Sequence, residues 1–577
     1  MKFRHWAPRA LFTSVATLGA LQGHPAFAQS ADANAAARQA EVLQRQQQEQ
    51  LQRDREAASR AQPTPDGANL KALAPKPDAS GAGQGCHTVQ TISISGAALM
   101  PASDQARLTE RLTGQCLGVA EIEKLLGEIT KFYIDRGHVT SRAYLPGQDL
   151  SQGTLKLLVV EGTIEKIVLD DGGKHSINTA TVFPSEGKLL NLRDLEQGID
   201  QVNQLASNNA SLDLQPGSRP GTSVVVIKNE PQKPWRVNIS ADNQGSKSTG
   251  ETQVGVSLSV DGLFNLNEAL LLTHRRSEPN NQDKKFSASD SINLSVPFGY
   301  TTASVSASRS VYVSTLKAPS GNELQTRGDS ESISGTLERV MYRDQDSRLS
   351  VGGGLSRKSS HNYLDGQFLA VSSRAMSVLD VDAAFWKTGA WGVLQSSVSY
   401  SQGLSRWNAL KDPAFLPDDA PKAQFSKWGV SLNYTLPFEV AGQTLGWNTS
   451  VTAQASNDVL YGSEQILIGG LYTVRGFVNS TLSGDDGFYV RNDLSWFTNL
   501  PLGSDKRPMR VFLGLDHGRV SNKVSGIPQG ALTGMALGAS VNWPWMSLEL
   551  SATKPLQKPS FLADEPTYVW VRLNFSF

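Results

Sequence analysis

Several things are scarce in this sequence. After the N-terminal stretch, no apolar run approaches the roughly 18–20 residues that a membrane-spanning helix needs. Any crossing of a bilayer must then be made by a closed barrel, the other fold that satisfies every backbone group in lipid. Cysteine occurs twice and histidine eight times. The histidines are scattered, and no CxxC spacing or Cys/His cluster offers a redox pair or a metal site. A Gly-rich nucleotide-binding loop is missing, and Ser, His and carboxylate residues form no recognisable catalytic arrangement. Neither a cofactor nor an enzyme activity is expected. Net charge is absent too: 54 Lys+Arg face 54 Asp+Glu, which leaves no field for nucleic acid.

What is present is glycine, 51 residues of it, alongside a hydrophobic content of only 39% in a chain of 577. That length suggests several domains, and the composition suits many turns and half-polar strands better than a buried α/β core. Residues 1–28 read as a secretory signal peptide. Lys2, Arg4 and Arg9 precede a short apolar core, and Ala26-Phe27-Ala28 has the small-x-small form of a cleavage site. Residues 29–62 are rich in Ala, Gln, Arg and Glu, a composition that favours helix. Their apolar positions, chiefly Val42, Leu43 and Leu51, make a poor stripe, as for a loose tail or a helix lodged in a water-filled lumen. Residues 63–85, rich in Pro, Gly and Ala, read as a flexible linker.

From Cys86 to Gly162 the periodicities alternate as β-α-α-β-β. Strands are expected at Val89–Ser95, His138–Tyr144 and Thr154–Val160, with helices at Ala102–Thr113 and Val119–Asp135. Residues 163–232 repeat the unit, with a clear helix at Leu192–Ala206 and strands at Thr163–Leu169, Ser211–Leu214 and Ser223–Ile227. An even, close pair of cysteines in an exported chain predicts one disulfide, Cys86–Cys116, worth on the order of 2–4 kcal/mol through the unfolded state.

After Pro234 helical spacing disappears. About sixteen short runs follow in which one face is apolar and the other small or polar, as strands with lipid outside and water inside should read. Trp428, Val430, Leu432, Tyr434 and Leu436 are one such face. A soluble sandwich or propeller would need more apolar inner faces. In the last run Val569, Val571, Leu573, Phe575 and Phe577 alternate with residues that carry polar groups, and the chain ends on Phe577 itself. Between two of these runs lies a Gly-rich segment, about 456–486, that contains Val474-Arg475-Gly476-Phe477.

The run Arg136-Gly137-His138-Val139-Thr140-Ser141-Arg142-Ala143-Tyr144-Leu145-Pro146, then Val159-Val160-Glu161-Gly162, resembles a first-repeat signature. Asn191 to Gln197 and the Pro-Gly pairs at 216 and 220 resemble a second, and Gly470–Phe477 with Asp485–Asp493 a sixth extracellular loop and its following strand. Together they resemble the outer-membrane transporters of two-partner secretion, the TpsB family of filamentous-haemagglutinin and haemolysin exporters, within the barrel-assembly-factor superfamily. The resemblance covers nearly the whole chain after residue 28.

That resemblance implies two periplasmic POTRA domains (86–162 and 163–232) ahead of an antiparallel sixteen-stranded outer-membrane barrel (233–577). It implies an N-terminal helix that plugs the pore at rest. It also implies a sixth loop whose arginine, Arg475, pairs with a barrel-wall aspartate, best matched by Asp516 between Gly514 and Gly518. Phe577 matches the terminal signal by which such barrels are recognised for insertion. The implied function is export, without ATP, of a large exoprotein (adhesin, haemolysin or contact-dependent toxin) captured unfolded in the periplasm. The implied surroundings are outer-membrane lipid and, during biogenesis, the barrel assembly machinery. A general assembly or insertion factor shares the loop motif, but usually carries more POTRA repeats.

Overall fold

A computed structural model describes residues 26–59, 85–317, 321, 323–503 and 505–577, with side chains for 32–52 of the first stretch. The body of the expected signal peptide and residues 60–84 of the expected linker lie outside the described residues. No helix among those described is long and apolar enough to cross a membrane.

Helix α1, Ala26–Ser59, comes first. The next unit has a parallel pair, β1 (Thr91–Ser95) beside β3 (Thr154–Val160), and β2 (Arg142–Tyr144) antiparallel on the other side of β3. Helices α2 (Ala102–Thr109) and α3 (Val119–Asp135) cover one face. The α3 stripe buries Ile122, Leu125, Ile129 and Phe132 against Leu155, Leu157 and Val159. Each such burial contributes about 1.5–3 kcal/mol. The strand expected from His138 begins only at Arg142, because Gly137 at φ 92° turns the chain and Ser141 N bonds His138 O. The helix expected to reach Thr113 ends at Thr109, where the chain breaks into turns. Cys86 and Cys116 form a disulfide beside the short Thr88–Cys116 pairing.

The second unit has the same plan. Strand β4 (Thr163–Asp170) lies parallel to β6 (Thr222–Lys228), and β5 (Ser211–Pro216) lies antiparallel to β6. Its helix α4, Leu192–Asn203, is capped by the Asn191 side chain accepting from Arg193 N. It stops three residues before the expected Ala206, its C-cap Gln204 N–H bonding back to Asp200 O.

This second unit is docked on the periplasmic rim of a closed barrel. Arg343 meets Asp200 of α4, Tyr300 Oη donates to Asp194 at 2.7 Å, and Gln201 donates to Thr302 Oγ1 at 3.2 Å. Asn267 Nδ2 donates to Asn178 O at 2.8 Å from a second rim turn. The mouth of the lumen is thereby set over the α/β pair.

Sixteen antiparallel strands close the barrel. In chain order they are β7 (Trp235–Asp242), β8 (Gln253–Asp261), β9 (Ala269–Ser277), β10 (Phe286–Phe298), β11 (Thr301–Lys317), β12 (Glu323–Arg343), β13 (Ser347–Leu364), β14 (Arg374–Gly389), β15 (Gly392–Leu404), β16 (Ser426–Val440), β17 (Gln443–Ser456), β18 (Asp486–Leu502), β19 (Asp505–Ser521), β20 (Gly530–Asn542), β21 (Met546–Gln557) and β22 (Tyr568–Ser576). A two-residue piece, Gln367–Phe368, only extends the β13 hairpin. The seam joins β22 to β7, from Arg572 opposite Asp242 to Ser576 opposite Asn238. Phe577 adds N–H···O=C bonds in both directions with Val237.

Period-two alternation decides which side each residue faces. Outward positions are apolar and exposed, such as Leu337, Val430, Leu513, Leu537 and Val569. Inward positions are largely polar, apart from the apolar patches that receive the loop and helix, such as Tyr489, Val520, Leu532 and Tyr312, and serine dominates one wall. Hydroxyls pair across the ladder there: Ser295 with Ser304, Ser306 with Ser334, and Ser310 with Ser330.

Candidate functional site in the barrel lumen

The segment between β17 and β18 does not stay outside. Its base forms a small hairpin, Ile466–Ile468 against Leu482–Gly484. Its tip enters the barrel, where Val474 and Phe477 pack with Ile466, Ile468, Leu482, Tyr489, Val520 and Leu532. That apolar cluster inside a polar lumen makes the folded-in loop stable.

At the tip, Arg475 is 3% exposed and Asp516 of β19 is 0% exposed. Arg475 Nε donates to Asp516 Oδ2 at 2.6 Å, Nη2 to Oδ1 at 2.6 Å, and the Arg475 backbone N–H to Oδ2 at 3.0 Å. The fork matches both carboxylate oxygens, a geometry that lysine cannot reproduce. A second carboxylate takes part: Nη2 also donates to Asp493 Oδ1 of β18 at 2.7 Å. Asp493 is directly opposite Gly514 in the ladder, so the two acids flank the guanidinium from adjacent strands. Arg510 stands 3.6 Å from the other Asp493 oxygen and balances the second negative charge.

Glycines make the room. A Cβ on Gly514 would collide with the Arg475 guanidinium, and one on Gly534 with the Arg475 carbonyl oxygen. Gly476 sits at φ 103°, a left-handed conformation, with the backbone of Lys554 beside it. Only glycine fits both demands.

A further anchor comes from the last extracellular loop. The Glu565 carboxylate accepts from three consecutive backbone N–H groups that follow the motif: Val478 at 2.9 Å, Asn479 at 3.0 Å and Ser480 at 2.7 Å. Tyr472 Oη donates to Gln244, beyond the first strand, at 3.0 Å. The loop thus touches chain on both sides of the β22–β7 seam.

At the loop's base, Glu464 is 2% exposed and paired with Lys358 at 2.8 Å and Lys427 at 3.0 Å. Burial alone would raise its pKa, and the two ammonium groups hold it below the ordinary carboxylate range. Helix α1 lies against this base. Arg45 Nη1 donates to Ser463 O at 3.2 Å, and Glu41 pairs with Arg374 at 2.7 Å. Gln39 donates to Ser314 at 3.1 Å, and Ala40 and Leu43 pack on Tyr312. Helix and loop occupy the lumen together and touch each other.

Arg475 and Asp516 are thus in contact, with Val474 and Phe477 in the apolar cluster and Gly476 at the turn. Cys86 and Cys116 lie in the first α/β unit, and Phe577 lies at the seam, 58% exposed. The reading of the sequence missed Asp493 and Glu565. Asp493 had a signal, because Arg491, Asp493 and Ser495 alternate as the inward face of the strand after the loop. Glu565 had none, since nothing local marks a loop carboxylate as the partner of N–H groups 85 to 87 residues away.

A closed barrel with a polar lumen, a docked pair of α/β units and an extracellular loop held inside defines an outer-membrane transporter of the two-partner secretion class. The family model described as haemolysin secretion/activation protein ShlB/FhaC/HecB matches residues 221–541, a ShlB-type POTRA domain matches 87–162, and a further POTRA domain matches 163–216. The chain belongs to that family, with its barrel in the outer membrane and its POTRA domains in the periplasm. It is 33% identical over 497 residues to the outer membrane transporter CdiB of Dickeya dadantii (strain 3937), covering 85% of this chain and 87% of that protein. It is 30% identical over 494 residues to the hemolysin transporter protein ShlB of Serratia marcescens, covering 85% and 86%. The solved structure of CdiB from Escherichia coli superposes with a TM-score of 0.81 at 32% identity, over 93% of this chain and 98% of that one.

Proposed function

We propose that this transporter receives a large, unfolded exoprotein in the periplasm through its POTRA pair and passes it outward through the barrel lumen. The observation that carries this reading is the lumen itself: a polar pore filled by two pieces of the same chain, each held by contacts that can be undone. Helix α1 and the folded-in loop close the pore at rest, with Arg475, Asp516 and Asp493 as the lock. No nucleotide-binding motif is present, so folding of the cargo outside supplies the direction.

Strand edges suit the first step. Strand β2 is an edge of its sheet, and the exposed apolar residues Tyr144, Leu145 and Leu158 lie beside it. An extended peptide can add there through main-chain hydrogen bonds, with little demand on sequence. The Leu125–Phe132 face of α3 is turned into the core and leaves that edge as the better candidate. Phe577, with its exposed ring on the final strand, suits recognition by the assembly machinery during insertion.

The test pairs secretion with conductance. The transporter is expressed with its exoprotein, and cargo in the medium is measured for the full chain and for a chain lacking residues 29–62. The same two proteins are placed in planar bilayers. Deletion is expected to raise conductance severalfold, and unchanged currents would sink the plug assignment. Cargo that never reaches the medium while the barrel is correctly inserted would sink the export reading.

A further inference from the structure

The outer wall of the barrel is not uniformly apolar. On its lipid-facing side, His274, Asp290, Arg309 and Glu331 stand directly opposite one another across β9 to β12. His274 pairs with Asp290 at 2.7 Å, and Arg309 lies 3.7 Å from Glu331, with every one of these side chains more than half exposed. One register step toward the periplasm, the outward residues become Leu272, Ile292, Ala307, Ile333 and Arg357. The two rows frame a depression of about 650 Å³, apolar at its floor and charged along its upper edge.

An extracellular loop borders this depression. Arg357 Nε donates to Trp407 O at 3.1 Å, Ser377 Oγ to Arg406 O at 3.0 Å, and Leu410 N to Ala375 O at 2.8 Å. Ser377 is the ladder neighbour of Arg357, so residues 406–410 are laid down the outside of the wall. Trp407 is 57% exposed there, flanked by exposed Arg406 and Lys411. An aromatic ring among basic side chains is typical of the boundary between hydrocarbon and headgroups.

The height agrees. Exposed Phe298 marks the periplasmic end of β10, and Asp290 lies eight residues further up the strand. At a rise of about 3.4 Å per residue and a tilt of ~40°, that is roughly 20 Å, near the outer edge of a ~25 Å apolar band. On a neighbouring part of the wall, the Tyr400 and Trp428 rings, 5.0 Å apart, face outward instead. The unbroken row of four alternating charges belongs to the β9–β12 sector.

The geometry points to a binding site for a phosphorylated, acylated sugar lipid of the outer leaflet. Its phosphate would accept from Arg309 and Arg357, with Arg406 and Lys411 adding positive charge nearby. Its sugar hydroxyls would donate to Asp290 and Glu331, which a simple anion would not satisfy. Its acyl chains would lie over Leu272, Ile292 and Ile333.

The site is tested by native mass spectrometry of the full-length protein in detergent. Three probes are used: a bis-phosphorylated acylated diglucosamine, the same lipid without phosphates, and phosphatidylethanolamine. The phosphorylated probe is expected to bind about tenfold more tightly than either of the others. The double substitution Arg309→Gln/Arg357→Gln is expected to remove that preference, with the folded barrel verified by its heat-modifiable migration. Equal binding of the dephosphorylated lipid or of phosphatidylethanolamine overturns the proposal, as does an undiminished preference in the double variant. The comparison among probes uses the unaltered protein, so it decides the matter even where the variant fails to fold.

Discussion

Replacing Arg475 by alanine removes the centre of a network in which Asp516 is fully buried and Asp493 is 17% exposed at its side chain. Asp516 keeps the backbone N–H of residue 475 but loses both guanidinium bonds. Breaking one side of a buried ion pair costs about 3–5 kcal/mol, because the remaining charge is left uncompensated. On the equilibrium between a docked and an undocked loop, that is a shift of roughly 10²-fold to several thousandfold toward undocked. Arg475→Lys restores charge without the fork, so it should recover only part of the loss. The assay is a cysteine pair across the contact of the loop hairpin with the wall, with cross-linking yield followed in intact outer membranes beside secretion into the medium. Cross-linking and export should fall together in Arg475→Ala while the barrel remains inserted. A variant that exports normally with a freely moving loop would refute the lock. One in which the protein never reaches the membrane would assign Arg475 to folding instead.

Other outcomes follow from neighbouring contacts. Gly534→Ala removes no charge yet drives a methyl group into the Arg475 carbonyl, so it should loosen the loop as Arg475→Ala does, read by the same cross-link. Asp493→Asn should cost less than Asp516→Asn, by about 1–2 kcal/mol, because Asp493 is partly exposed and only Asp516 accepts from the backbone as well. Glu565→Ala strips three N–H groups of their acceptor and should raise protease sensitivity at residues 478–480; unchanged digestion would deny the anchor. Cys86→Ser with Cys116→Ser should destabilise the first POTRA domain by about 2–4 kcal/mol, measured by its thermal unfolding within the full chain.

Local chemistry decided which of these features could be read from residues alone. Helix α3 begins and ends where its apolar stripe does, since Gly118 precedes it and Gly137 follows it. The alternation of Val569 to Phe577 assigned each side chain of β22 to lipid or lumen, and buried Trp570 lies on the inner side. Arg475 was found through its motif, and Asp516 through the two glycines around it. Helix α1 was harder. Its weak stripe fits a polar lumen, which supplies Ser314 and Arg374 rather than an apolar groove. The strand expected from His138 is shorter because Gly137 is also a junction: Leu192 N donates to its carbonyl. That long-range contact competes with strand pairing and leaves no local trace.

The serine wall has a consequence for a chain in transit. Its hydroxyls pair with one another across the ladder, at 2.7 Å between Ser306 and Ser334 and between Ser310 and Ser330. Each pair holds one O–H internally and leaves the other for exchangeable contacts, so a passing peptide meets there small, weak and interchangeable partners. The free-energy profile along such a surface is shallow, and a thread can slide over it by diffusion whatever its sequence. With so little friction, a one-way bias at the outer end is enough to move a very long polymer through.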